Sequence, residues 1–271
     1  MAIRPETGRL RPAALDAVSR LVERTAARRS APALHPHGIT CHATLRIRTS
    51  AGPPPSPWGV PWLDRNAEYP VRMRWSRALG LPGRLPDALG IALRVADAGG
   101  PGHPLDLLFT SSGSGSRSRH LPLPRLGALA GPYSSLLSYR VGGRTALLTL
   151  WPDTARTGLP ADLEGLRRAL AAGPVVLTLC ASEPGRPALW PLGTLTTGAP
   201  SAPVLQETEA YDPYRHRLPD LHPTARLSRL REAAYTASRA GRGAAVAFLG
   251  DEAATDEAGI DGAGTGRQQG V

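Results

Sequence analysis

From residue 38 to residue 110 the chain alternates apolar and polar side chains in short runs separated by turn residues. In the first run, Gly38 to Thr49, the strict alternation comes at the end, over Leu45, Arg46, Ile47 and Arg48, as a half-buried strand requires. Tyr69–Ser76, Gly90–Val95 and Leu105–Thr110 repeat the pattern, with a Pro-rich turn at 52–57 and a Ser/Gly-rich loop at 111–118. Short strands punctuated in this way predict a sheet that bends into a barrel or sandwich, not alternating βαβ units. Beyond it, 141–151, 175–181 and 189–197 read as strands, 162–172 as a helix, and 121–139 as short helices and loops. Helical spacing of Leu10, Leu15, Val18, Leu21 and Val22 predicts an N-terminal amphipathic arm over 1–30, ahead of a domain over 31–249. The tail 250–271, rich in Asp, Glu, Gly and Ala and without periodicity, reads as disordered. The fold class is therefore α+β.

Composition alters this picture little. All 32 basic residues are arginine, which raises the formal net charge to +10. They are dispersed and not gathered into a run, so the basicity marks GC-rich coding and not a nucleic-acid partner. Cys41 and Cys180 are too few for a disulfide framework. No apolar run approaches the ~20 residues of a membrane span, and the polar start Met1–Glu6 has no signal-peptide core behind it, so a cytoplasmic chain is expected.

One stretch carries candidate chemistry. Residues 224–242 read as a helix, started by Pro223-Thr224 and stopped by Gly241 and Gly243. At about 100° per residue, Arg231, Tyr235 and Arg242 fall on one face, placing a phenol between two guanidiniums.

Five further segments, in the right order, extend that face into a resemblance to the catalase superfamily, and specifically to its short, single-domain haem proteins. Arg231-Glu232-Ala233-Ala234-Tyr235 resembles the proximal Arg-x-x-x-Tyr motif, and Asp212-Pro213 with Leu218–Pro223 resembles the segment that leads into it. Leu34-His35-Pro36-His37-Gly38 is similar to the distal His-x-x-Gly segment, and Arg74-Trp75-Ser76 to the Arg-Phe-Ser strand. Pro86–Arg94 and Asp106-Leu107-Leu108 match the two strands that follow. The chain departs from the pattern at Thr110, where catalases place an asparagine, and at Pro32, where they place an arginine.

The resemblance implies a catalase-like antiparallel β-barrel with flanking helices, binding haem b through its iron. Tyr235 becomes the metal ligand, Arg231 its partner, and Arg72, Arg74 and Arg242 contacts to the haem carboxylates. His35 becomes the distal acid–base group, with Ser76 orienting it and Thr110 beside it. The implied partners are hydrogen peroxide or an organic hydroperoxide and a small organic electron donor, with no nucleic acid and no membrane span; a homo-oligomer stays open. A free phenol has a pKa near ~10, so a bound ferric ion and the Arg231 guanidinium are what would make Tyr235 a phenolate. The competing outcome is a barrel that keeps this frame without peroxide turnover, as a haem-binding or scaffold protein.

Bland readings compete residue by residue. His35, His37, Cys41 and His42 could form a zinc cluster, although they lack a second ligand pair at finger spacing. Arg72 and Arg74 could be solvated, Asp87 and Asp106 could be caps or ion pairs, and Trp58, Trp62, Trp75, Trp151 and Trp190 are most simply packing residues.

Overall fold

Alternation along the chain becomes two faces of one wall. In a computed structural model, which describes residues 37–48, 57–78, 85–153, 158–201 and 210–224, the first four strands form an antiparallel meander. They are β1 (His37–Ile47), β2 (Ala67–Arg77), β3 (Leu89–Val95) and β4 (Leu105–Ser111). Register places Ile39, Trp75, Ile91 and Phe109 side by side, then Cys41, Met73, Leu93 and Leu107, all buried. These rows are the core face, and the residues between them face outward.

The sheet continues through β5 (Tyr133–Ser134), β6 (Tyr139–Val141), β7 (Arg144–Pro152), β8 (Val176–Ser182), β9 (Trp190–Pro200) and β10 (Leu221–Pro223). Pairing of β1 with β9 and of β7 with β8 closes an eight-stranded antiparallel barrel, while β6 and β10 extend from β7. Closure removes every barrel edge. Leu45, Ile47, Leu148, Leu150, Leu177, Leu179 and Leu195 complete the interior, which side chains fill.

One helix, α1 (Leu163–Ala172), packs against β9. Asp162 caps it, accepting the Gly165 N–H at 2.7 Å, and Leu166 and Leu170, one turn apart, give it its buried stripe. At one end of the barrel the guanidinium of Arg77 donates to the carbonyls of Ala161 (3.0 Å) and Leu85 (2.7 Å) and pairs with the buried Asp87 at 3.7 Å. Beside it Trp75 Nε1 donates to Tyr133 Oη (3.1 Å), which donates to the carbonyl of Ala128 (2.6 Å).

Several boundaries differ from those expected. Residues 121–139 contain no α-helix; a single 3-10 turn lies just before them at Ser118–His120, and β5 falls within. The Pro and Ser side chains there favour irregular backbone held by local hydrogen bonds, such as Ser134 Oγ accepting from Leu136 N at 3.1 Å. The run 141–151 is broken by a two-residue hairpin at Gly142-Gly143. Gly142 has φ of 56°, and a Cβ there would collide with the carbonyl oxygen of Trp58. The arm over 1–30 and the tail over 250–271 lie outside the described residues.

Candidate functional site

Three rows cross the outward face of β1–β4. The first runs Gly38, Ser76, Gly90, Thr110 and on to Ser134 of β5; the second is Thr40, Arg74, Ala92, Leu108; the third is His42, Arg72, Arg94, Asp106. Strand periodicity puts Arg72, Arg74 and Ser76 on this one face, and the register adds Thr110 two strands away from Ser76, about 10 Å across the sheet. Of the residues expected to form the site, these four are described and share a surface. His35, Arg231, Tyr235 and Arg242 lie outside the described residues.

The first row is a floor without bulk. Gly38 and Gly90 flank Ser76, whose Oγ donates a long 3.4 Å bond to the carbonyl of Gly90. Gly38 is needed here for approach: a Cβ would sit 2.7 Å from Arg74 Cζ and 2.7 Å from the carbonyl oxygen of Trp75. The half-buried Arg74 guanidinium therefore lies against the bare backbone of β1. Burial lowers its pKa from the ordinary value, and the nearby phenol of Tyr211 works in the opposite direction. Arg72, in the third row, is exposed.

That third row ends in a buried carboxylate. Asp106 accepts the Arg94 fork at 2.8 and 2.7 Å, the Asp212 backbone N–H at 2.7 Å, and lies 2.9 Å from His216 Nδ1. Arg94 also donates to the Ala210 carbonyl at 2.8 Å and lies 5.2 Å from the ring centroid of Tyr211. Segment 210–216 is thus fastened across β3 and β4, which fits the ion-pair reading of Asp106. Sequence reasoning missed Tyr211 and His216 as parts of this surface. The pairing of Arg94 with Asp106 across two strands was the only clue, and it needs the register to be seen.

The zinc alternative loses its geometry. Cys41 points into the barrel, 2% exposed, with burial pushing its thiol up to about 12, whereas the adjacent His42 is exposed on the opposite face. Among the described residues no His, Cys, Asp and Glu side chains gather as a metal cluster. Both cysteines are free and buried. Of the tryptophans, Trp58, Trp62 and Trp75 are core residues and Trp190 packs against that core. Trp58 and Trp190 meet edge to face at 5.9 Å.

No family model matches the chain, and no curated protein matches it in sequence. Solved structures do match in shape. Catalase A from Saccharomyces cerevisiae is similar over 77% of this chain and 60% of its own, with a TM-score of 0.56 and 10% identity. A fungal catalase (89% and 65%, TM-score 0.56, 12% identity) and a bacterial catalase (89% and 62%, TM-score 0.56, 13% identity) are similar as well. The fold is catalase-like: a closed eight-stranded barrel with a flanking helix. The chain spans between 60% and 65% of the length of these catalases. No helix among the described residues is long and apolar enough to cross a membrane.

The donor set present on this face suits a haem. The row Gly38, Ser76 and Gly90 carries little side-chain bulk, and the guanidiniums of Arg72 and Arg74 beside it have the chemistry that carboxylates such as those of a haem require.

Proposed function

We propose that the chain is a haem-dependent, peroxide-utilising oxidoreductase, a peroxidase or weak catalase, with Tyr235 as the iron ligand of haem b. The observation that carries this reading is the outward row of glycine, serine and threonine on β1–β4, with Arg74 seated against Gly38, on a catalase-like barrel. Haem, when bound, supplies the iron centre at which a peroxide O–O bond is cleaved. This chain's own residues surround that chemistry. Arg231, four residues before Tyr235, would favour the ionised phenol, and Arg72, Arg74 and Arg242 would neutralise the haem carboxylates. His35 takes the proton from hydrogen peroxide or an organic hydroperoxide and returns it to the departing oxygen, Ser76 orients His35, and Thr110 lines the same floor. A small organic donor in the cytoplasm supplies the electrons.

One observation favours a second reading, a haem-binding or scaffold barrel without turnover. The only asparagine in the chain is Asn66, which precedes β2 at the end away from Ser76, so the row containing Thr110 carries no carboxamide to pose a peroxide.

Absorption spectra test both. Protein purified with haem supplied is expected to show a Soret band that Tyr235→Phe shifts or abolishes; a colourless, stably folded protein would sink the haem reading. Peroxide turnover that drops on the order of 100-fold in His35→Ala, as expected when an acid–base group is lost, identifies an enzyme. Turnover at background in the parent identifies the carrier.

A further inference from the structure

At the end of the barrel where β2 finishes at Arg77 and β4 at Ser111, the surface turns apolar. Among the described residues the large hydrophobic side chains left in water are Leu85, Leu121, Leu123 and Leu126, between 41% and 58% exposed, with the exposed Pro86, Pro122 and Pro124 between them. We propose that this leucine strap is a membrane-docking surface, which seats on the face of a bilayer containing anionic phospholipid.

The four leucines share one patch because two short stretches of backbone run side by side. Asp87 and Arg125 pair antiparallel, with N–H···O bonds of 2.9 and 3.3 Å, and this sets Leu85 and Pro86 alongside Leu126. Further bonds fix both stretches to the barrel. Leu123 N–H donates to the Ser111 carbonyl at 2.8 Å, and Ser111 Oγ donates to the Leu123 carbonyl at 2.7 Å. The Leu126 carbonyl accepts from Ala161 N–H at 3.1 Å, and the Leu85 carbonyl accepts from Arg77 at 2.7 Å. Backbone held this firmly cannot turn its leucines inward, and a contiguous exposed apolar patch marks an interaction surface.

Two features select lipid as the occupant. The first is the backbone. From residue 121 to 125 each N–H is either absent, at Pro122 and Pro124, or bonded inward: Leu121 to Ser118, Leu123 to Ser111 and Arg125 to Asp87. No donor of that stretch remains to pair with an added strand, and none would be stranded at the edge of hydrocarbon. The second is charge. From Leu107 to Pro152 the chain has five arginines and no carboxylate, and Arg117, just ahead of the strap, is exposed. Of the acids on neighbouring segments, Asp87 is buried and pairs with Arg77 at 3.7 Å, Asp162 caps α1, and Glu164 pairs with Arg168 at 3.6 Å. Two facing copies of the strap would set like charges against each other, whereas anionic headgroups complement them. Leucine at the acyl boundary with arginine at headgroup level is the arrangement by which proteins lie on a membrane without crossing it.

Co-sedimentation of the full chain with unilamellar vesicles tests this. The parent is expected to bind vesicles of equimolar phosphatidylcholine and phosphatidylserine, to be released by high salt, and to bind phosphatidylcholine alone roughly tenfold more weakly. Leu121→Ser combined with Leu126→Ser removes side chains that already face water, so the urea midpoint should hold while affinity for the mixed vesicles falls on the order of tenfold. Arg117→Gln should weaken binding to the mixed vesicles roughly fivefold and leave phosphatidylcholine unaffected. Arg48→Gln removes the same charge just beyond the opposite end of β1 from His37, the partner of Arg77, and should change neither. A folded parent that binds no vesicles, binding indifferent to the leucine pair, or equal loss in Arg48→Gln and Arg117→Gln, which would mean attraction by net charge alone, overturns the proposal. So does a dimer seen by sedimentation velocity without lipid and abolished by the leucine pair, which would assign the strap to a second copy of the chain.

Discussion

The barrel carries the same row of small side chains on both halves of its outward face, and the two halves use it differently. From Thr110 the row continues in register through Ser134, Thr149 and Cys180, all three buried. There the hydroxyls and an arginine are consumed by structure. Ser134 Oγ donates to the Arg119 carbonyl, Trp151 Nε1 donates to Thr149 Oγ1 at 3.0 Å, and Arg119, 2% exposed, donates to the carbonyls of Arg186 and Pro187 at 3.2 and 3.1 Å. On the β1–β4 half the matching positions are glycine, serine and threonine, with Arg74 half-buried and Arg72 exposed beside them. Residue type therefore does not distinguish a site from a core. Burial does not either, since Ser76 is 4% exposed and Cys180 4%; the partners do, because the 3-10 turn at Ser118–His120 and the Glu183–Arg186 turn take up the hydroxyls and the arginine of the second half.

Asp106→Ala attacks the site half hardest. It leaves Arg94 without its buried carboxylate and releases segment 210–216, and because Arg94 keeps some solvent contact the cost is set near the lower end of the usual range, about 3 kcal/mol. Urea denaturation measures it, and a loss below about 1 kcal/mol would show that the clasp is decoration. Gly38→Ala comes next. Its Cβ would press on the Trp75 carbonyl and on Arg74, so about 1–2 kcal/mol of stability should go together with haem affinity in a Soret titration. A variant that loses stability and keeps that affinity would separate Gly38 from haem binding.

Arg119→Met is the counterpart on the other half. It removes two hydrogen bonds to carbonyls but also a buried cation whose Nε has no hydrogen-bond partner among the described residues, so the net change should stay within about 1 kcal/mol and porphyrin binding should not move. A large loss of porphyrin affinity in Arg119→Met would erase the distinction between the halves.

The strands of the first half were legible because their alternation is clean. Leu89, Ile91, Leu93 and Val95 recur every second residue, and so do Leu105, Leu107 and Phe109, so period and face follow from side-chain hydrophobicity alone. β7 was harder: Ala146, Leu147, Leu148, Thr149 and Leu150 are all buried, since a turn covers its outer side, and no alternation survives. The Arg74, Ser76 and Thr110 positions came from the resemblance, and the register then placed them on one surface. Tyr211 was invisible for a physical reason. Its place depends on Asp106, more than a hundred residues away, accepting the Asp212 N–H, and no local pattern encodes that contact.

The smallest expected effect appears only in alkali, and it compares the two cysteines with the rest of the chain. Burial pushes Cys180 up to about 11, against the opposing charge of Arg119, and Cys41 up to about 12. Both thiols are thus protonated in the folded chain at pH values where the unfolded chain has begun to lose those protons, above the ordinary value of 9.0. The folded state then binds more protons than the unfolded one, so their stabilisation is complete below pH 9.0 and falls as pH rises toward the folded values. In a chain without lysine the six tyrosines are the other side chains that titrate in that window, and burial raises Tyr133 as well, so the thiol share is read from the difference between Cys180→Ala and the parent. Each thiol contributes a slope of at most about 1.4 kcal/mol per pH unit. Urea midpoints at pH 7 and near pH 10 should therefore differ less in Cys180→Ala than in the parent. In Arg119→Met, where the opposing charge is gone, Cys180 should react still more slowly with a thiol reagent at high pH than it does in the parent. Faster reaction there would mean that the turn over Ser134, Thr149 and Cys180 opens without its arginine, and that the second half of the row is held shut by Arg119 and not by packing.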